Sequence, residues 1–208
     1  MAAEHPETAP RILGLTGPIA CGKTTVGNLL LELGALDRID ADEVVHELMQ
    51  AGTDTTRLVE RTFGAETIAA DGSVDRRELA ARVFSDPTAL RRLESLTHPA
   101  VGPAIRAKIN RFADREGVVV LDAVKLLQSD LAGLCSAIWV VQCGRGEELR
   151  RLIEDRAMTQ TEADGRIAAQ PGFDDPRVSA VIDNSGSWDE TRAEVRRRWE
   201  EFMAGEGR

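Results

Sequence analysis

The run Gly17-Pro18-Ile19-Ala20-Cys21-Gly22-Lys23-Thr24-Thr25 restricts the fold more than any other stretch of this chain, because it matches the phosphate-binding pattern G-x-x-x-x-G-K-[ST]. The pattern has chemical meaning only between a buried strand and the start of a helix. Both flanks fit: Ile12-Leu13-Gly14-Leu15 reads as a short buried strand, and Val26 to Leu33 follows with helical periodicity. In that setting the loop N–H groups and the helix N-terminus converge on a phosphate. Lys23 then reaches the β- and γ-phosphate oxygens, and the Thr24 hydroxyl serves as a ligand for Mg²⁺. Gly22 allows close approach of the backbone where a Cβ would intrude. The competing reading is a chance match in an ordinary strand-turn-helix. Composition argues against it, since Lys23, Lys108 and Lys125 are the only lysines among 26 basic residues. Where arginine is the default base, a lysine at this position is a specific choice. Gly17 through Thr25 are therefore the expected ATP contacts.

The remainder of the chain alternates in the manner of an α/β domain. After the first helix and Gly34, Ala35 to Ile39 reads as a second strand running into Asp40-Ala41-Asp42. From Glu43 to about Glu116 the period is helical, punctuated at Gly52-Thr53-Asp54, Gly64, Asp71-Gly72, Ser85-Asp86-Pro87 and Thr97-His98-Pro99. Several short helices between two strands of one sheet, about 43–116, describe a lid-like or acceptor-binding insertion. Val118 to Asp122 and Ser136 to Val141 are continuous apolar runs, as strands buried on both faces of a parallel sheet require. An Arg-bearing helix from Glu147 to Arg156 follows. The capping box Thr159-x-x-Glu162 opens another helix to Gln170. Val178 to Ile182 is a last strand, and Ser187-x-x-Glu190 caps a final helix. The expected architecture is a single phosphate-loop NTPase domain over 11–208, three-layered around a central parallel sheet, behind a disordered tail at 1–10.

Composition removes several classes of function. A net charge of −9 disfavours general affinity for nucleic acid or acidic membranes. No apolar run approaches a membrane span, and the N-terminal residues lack an apolar signal region. Cys21, Cys135 and Cys143 show neither C-x-x-C nor Cys/His ligand spacing, so neither a disulfide framework nor a zinc site is expected, and a reducing cytoplasm is the simplest location. The protein is expected to act as a monomer or small homo-oligomer on a small molecule.

The residues beside the loop choose among NTPases. No Asn-Lys-x-Asp guanine reader occurs, and the buried strand at Asp122-Ala123 lacks the Asp-Glu of motor ATPases. A small-molecule kinase needs a carboxylate facing an acceptor hydroxyl, Mg²⁺ between phosphates, and arginines that neutralise the transferring group. Asp42, Thr24 and the arginines at 150, 151 and 156 supply these parts. Asp40 and Asp42 fall on one side of an extended segment, one toward the acceptor and one toward a metal or structural donor; the alternative is that Asp42 caps the helix beginning at Glu43. Asp122 is either a water-mediated Mg²⁺ ligand or a strand-end turn residue. His98, before a proline, is either a helix cap or an acceptor contact.

The sequence resembles the dephospho-coenzyme A kinase family from about Ile12 to Phe202. The resemblance rests on GLTGPIACGKTTV, IDAD at 39–42, FGAETIAADGSVDRRELAARVF at 63–84, the His98-Pro99 pair, VVVLDAVKLL at 118–127, RLIEDR with AAQ at 168–170, and VIDNSG at 181–186. It implies ATP- and Mg²⁺-dependent phosphorylation of the ribose 3′-hydroxyl of dephospho-coenzyme A. By position, Asp42 would be the general base, Lys23 and Thr24 the phosphate and metal contacts, the segment about 147–170 a lid that carries Arg151, and Asn184 a neighbour of the adenine. The family usually has Pro-Leu-Leu-Phe-Glu where this chain has Lys125-Leu126-Leu127-Gln128-Ser129, so Lys125 is placed to meet an acceptor phosphate. The family's lid commonly reads Arg-Asp where this chain has Asp155-Arg156. A kinase for another small hydroxyl acceptor, and a nucleotide- or coenzyme A-binding protein without turnover, are the other readings.

Overall fold

The computed structural model describes residues 9–83 and 86–205. The tail expected to be disordered falls largely outside these residues, as do Phe84 and Ser85. Five strands form one sheet in the order β2-β3-β1-β4-β5, with β1 at its centre. β1 (Arg11–Thr16) pairs in parallel with β3 (Val118–Asp122) and β4 (Ala137–Gln142), and β4 pairs in parallel with β5 (Val178–Asp183). β2 (Asp37–Asp40) is an edge strand. All five residues of β3 are buried, which is why its sequence is an unbroken apolar run rather than an alternating one. β5, at the opposite edge, buries Ala180 and Ile182 and exposes the alternating Ser179, Val181 and Asp183.

Helices α1 (Lys23–Glu32) and α8 (Trp188–Ala204) close a core with the sheet in which Leu13, Leu15, Leu30, Trp139, Trp199 and Phe202 are all buried. α6 (Arg145–Glu154) and α7 (Gln160–Ala168) follow β4. This is the α/β architecture that the alternation of strands and helices in the sequence predicts.

The chain divides into two compact units, one of Met1–Ile39 with Phe112–Arg208 and one of Asp40–Arg111. The second contains α2 (Ala41–Leu48), α3 (Asp54–Phe63), α4 (Arg76–Val83) and α5 (Pro87–Asn110), with its own small core of Met49, Val59, Val74, Leu79 and Val83.

Four expectations are corrected. Thr97-His98-Pro99 does not separate helices, because α5 runs through both Pro99 and Pro103. Packing against α2, α3 and α4 holds the helix across a break that each proline alone would cost about 3 kcal/mol to bridge. The Thr97 hydroxyl also donates to the Leu93 and Glu94 carbonyls in the turn that precedes Pro99.

Asp40 and Asp42 do not share one side of an extended segment, nor does Asp42 cap a helix beginning at Glu43. The helix starts at once after β2: Asp40 is the cap of α2, its Oδ1 accepting from the Asp42 N–H at 2.9 Å and the Glu43 N–H at 3.4 Å, while Asp42 sits in the first turn.

Arg156 is not on the helix with Arg150 and Arg151. α6 ends at Glu154 with Asp155 as its C-terminal cap, and Ala157 adopts a left-handed φ of 52°, a conformation that stops a helix.

Finally, Cys21 and Cys143 are joined in a disulfide with Cα atoms 5.2 Å apart. They lie 122 residues apart in sequence, but they follow the carboxyl ends of the neighbouring strands β1 and β4, so the sheet brings them within bonding range. Local cysteine spacing carries no trace of such a pair.

Candidate nucleotide site

The loop after β1 is built for close backbone approach. At Gly17 (φ 149°) a Cβ would stand 2.0 Å from the Val141 carbonyl oxygen, so only glycine lets the loop leave β1 against β4. Gly22 (φ 88°) is the left-handed cap of α1, and a Cβ there would meet the Asn184 amide nitrogen at 2.2 Å. No side chain caps α1, which leaves the N–H groups of its first turn for a ligand. Pro18 and Ile19 are half-buried, and Ala20 takes a left-handed φ of 60°. Cys21 is fully buried and held in the disulfide, whereas Thr24 and Thr25 are exposed at the start of α1.

Behind the loop stands a compact group of charges. Asp122, at the end of β3, has no exposed surface, and its Oδ1 is paired with the Lys23 ammonium. Its Oδ2 accepts from Arg38 Nε at 2.9 Å and Nη2 at 2.7 Å. A carboxylate fully withdrawn from water requires such partners, and a forked guanidinium supplies them with fixed geometry. A Mg²⁺ site fits these residues in part. The Thr24 hydroxyl is accessible beside the helix N-terminus, while both oxygens of Asp122 are already engaged by cations, so this carboxylate would meet a metal through water.

A third group grips the loop from α6, from Gln170 just past the end of α7, and from the β5–α8 turn. Arg151 donates from Nη1 to the Ala20 carbonyl at 3.2 Å and from Nη2 to the Asn184 carbonyl at 3.0 Å. Asn184, nearly buried, donates from Nδ2 to the Cys21 carbonyl at 2.9 Å and accepts from the Thr191 hydroxyl. The Ile19 N–H donates to Gln170 Oε1 at 2.5 Å, and Gln170 Nε2 donates to Glu148 Oε1 at 2.7 Å. Glu147 accepts from Arg150 and from Arg151 Nε, and these hydrogen bonds, Arg150 first, hold its carboxyl down at about 2.

The other expected residues are placed as follows. Asp42, on α2 in the Asp40–Arg111 unit, lines a cavity of about 220 Å³ whose walls include Val45, Met49 and Leu79, with His46 and Arg76 among its polar groups. Asp40 is the α2 cap, and His98 is an exposed residue in the middle of α5. Lys125 is exposed just after β3, and Arg156 lies in the exposed turn after α6.

A model of dephospho-CoA kinases matches residues 11–190 of the chain. The chain belongs to the dephospho-CoA kinase family. A dephospho-CoA kinase of Symbiobacterium thermophilum is 42% identical over 201 residues, covering 95% of this chain and 83% of the relative. The solved structure of TT1252 from Thermus thermophilus is 28% identical, with a TM-score of 0.76 over 93% of this chain and 98% of that one. A dephospho-CoA kinase from Campylobacter jejuni, 20% identical over 92% of this chain and 97% of that one, shares the fold with a TM-score of 0.63.

Against this family background, sequence reasoning missed Arg38, the Cys21–Cys143 pair and the part played by Gln170. Arg38 had no local signal, because the carboxylate it serves, Asp122, lies 84 residues further along the chain. Gln170 stood in a recognised motif, AAQ, to which no role was attached. The cysteine pair had no local signal at all.

Proposed function

We propose that the protein transfers the γ-phosphoryl group of ATP to the ribose 3′-hydroxyl of dephospho-coenzyme A, giving coenzyme A. The observation that carries this reading is the relationship to dephospho-CoA kinases over residues 11–190 of the chain, phosphate loop included.

In the proposed reaction the first-turn N–H groups of α1 and Lys23 hold the ATP phosphates, with Lys23 exchanging Asp122 for phosphate oxygens. Thr24, and Asp122 through water, would hold Mg²⁺, which neutralises charge between the β- and γ-phosphates. Asp42 is the general base that takes the proton from the 3′-hydroxyl as the oxygen attacks. Arg151 and Arg156 belong to a lid formed by α6 and α7 and stabilise charge on the transferring group. Asn184 fixes the loop beside the adenine. His98, Lys125 and Asp40 serve the acceptor side, Lys125 toward an acceptor phosphate and Asp40 by fixing the helix that carries Asp42. The 220 Å³ cavity, largely apolar with Asp42 on its wall, supports an acceptor with an uncharged arm. Among the described residues no helix is long and apolar enough to cross a membrane. We place the reaction in the cytoplasm, on a small molecule and by a monomer or small homo-oligomer; with Cys21 and Cys143 joined, that location rests on the kinase reading and not on cysteine usage.

The test is an ADP-release assay with ATP, Mg²⁺ and dephospho-coenzyme A, run beside adenosine, pantetheine phosphate and shikimate with mass detection. A gain of about 80 daltons on dephospho-coenzyme A alone is expected for one phosphoryl group. Silence on dephospho-coenzyme A with intact ATP binding would overturn the reading. Asp42→Asn is expected to lower turnover by ~10²–10⁴-fold with ATP affinity little changed, and unchanged turnover would remove Asp42 as the base. Lys23→Ala is expected to weaken ATP binding and turnover together.

A further inference from the structure

Glu148, in the first turn of α6, is a carboxylate only 6% exposed, and nothing in the proposed reaction uses it. Gln170 Nε2 donates to it at 2.7 Å. The other end of the same amide, Oε1, accepts the Ile19 N–H of the phosphate loop at 2.5 Å. The two partners fix which way round the amide lies. Turned over, it would set an NH₂ group against the Ile19 N–H and a carbonyl oxygen against the Glu148 carboxylate, donor on donor and acceptor on acceptor. The chain of polarity therefore runs from the buried carboxylate through the amide to the loop. One turn further along α6, Arg151 reaches the Ala20 carbonyl of the same loop. The helix that carries Arg151 is thus tied to the loop at two successive residues, Ile19 by a donor and Ala20 by an acceptor.

We propose that Gln170 is a positioning residue that couples α6 and α7 to the phosphate loop, so that the loop reaches its ATP-binding shape only when Arg151 is seated beside it. The proposal rests on the kinase reading for its substrate and deepens it by assigning the coupling between loop and lid. Glu148 is the anchor, because a buried carboxylate holds the amide in one orientation. Gln170 touches no reacting atom; it acts through Ile19. Two consequences follow for catalysis. Without the link, ATP meets a loop that must first be ordered, and its apparent affinity falls by the fraction of time the loop is competent. Water also gains access to the transferring group when the helices are not docked, so ATP is hydrolysed without reaching the acceptor.

The test compares wild type with Gln170→Glu, Glu148→Gln and the double exchange Glu148→Gln/Gln170→Glu. It measures KM for ATP and for dephospho-coenzyme A, ADP released per acceptor phosphorylated, and the Kd of ATP without acceptor. Gln170→Glu sets two carboxylates against each other. It is expected to raise KM and Kd for ATP by ~10-fold and to lift the ADP-to-product ratio above one, with KM for the acceptor within about twofold of wild type. The double exchange restores the pattern, since a glutamine at 148 donates to a carboxylate at 170 whose other oxygen accepts the Ile19 N–H. It is expected to return both ATP constants to within about threefold of wild type. Gln170→Asn, one methylene too short to span the gap, is a milder variant expected to repeat the ATP-side defect if Gln170→Glu does not fold. Wild-type ATP constants and unit coupling in Gln170→Glu or Gln170→Asn would overturn the proposal, as would a double exchange no better than the single change. Failure of the kinase reading is separately visible: wild type would then be silent on dephospho-coenzyme A, while the ATP Kd series would still decide whether Gln170 shapes the loop.

Discussion

Single atoms decide much of the nucleotide site. Gly22 faces Asn184 so closely that Gly22→Ala, which also strains a left-handed backbone, displaces the Asn184 amide from the Cys21 carbonyl. ATP affinity is expected to fall by at least ~10-fold on titration, with a drop in thermal midpoint of a few degrees. Glu147 gives a pH signature. Its carboxyl is held at about 2 by Arg150 and Arg151 against a usual 4.5, so the ionised form is stabilised in the folded chain. Its contribution is complete above pH 4.5 and is lost as pH falls toward 2. Urea unfolding of wild type and Glu147→Gln should therefore differ by a constant amount above about pH 5, with the difference shrinking as pH falls toward 2; a difference undiminished at pH 2 would refute the assignment. At this scale the sequence was only half legible. Gly17, Gly22, Lys23 and Thr24 declare themselves because their spacing is fixed by the phosphate. Arg38 and Gln170 act through partners 84 and 151 residues away, and no local pattern encodes those partners.

Helix boundaries carry the next level of information. The step from β2 into α2 is made by Asp40, whose carboxylate takes two first-turn N–H groups. Asp40→Ala is expected to cost about 1 kcal/mol in denaturant unfolding and to lower turnover by loosening the helix that bears Asp42, whereas Asp40→Asn keeps the cap and most of both. Equal effects of the two changes would show that the charge, not the cap, matters. The strands were readable as elements because a parallel sheet buried on both faces permits only apolar runs such as Val118 to Leu121. The capping boxes at Thr159 and Ser187 were equally plain, and both are formed in full. α5 was not, because Pro99 and Pro103 imitate stop signals that packing overrides. A helix length set by tertiary contacts leaves no mark in its own residues.

For the whole molecule, the sheet order β2-β3-β1-β4-β5 sets the phosphate loop and the β4–α6 junction side by side, and the Cys21–Cys143 bond fastens them there. Chain-entropy reasoning gives a cross-link of this span a contribution of about 5 kcal/mol, an upper figure for what reduction or Cys143→Ser removes in a denaturant titration. No measurable change in either case would mean the bond contributes nothing in solution. The bond also gives the chain a different connectivity. Every residue of the Asp40–Arg111 unit lies on a closed covalent ring between positions 21 and 143, with the two termini as tails outside it. A protease that cuts once inside the ring opens it without releasing a fragment, and the pieces separate only after a reductant is added.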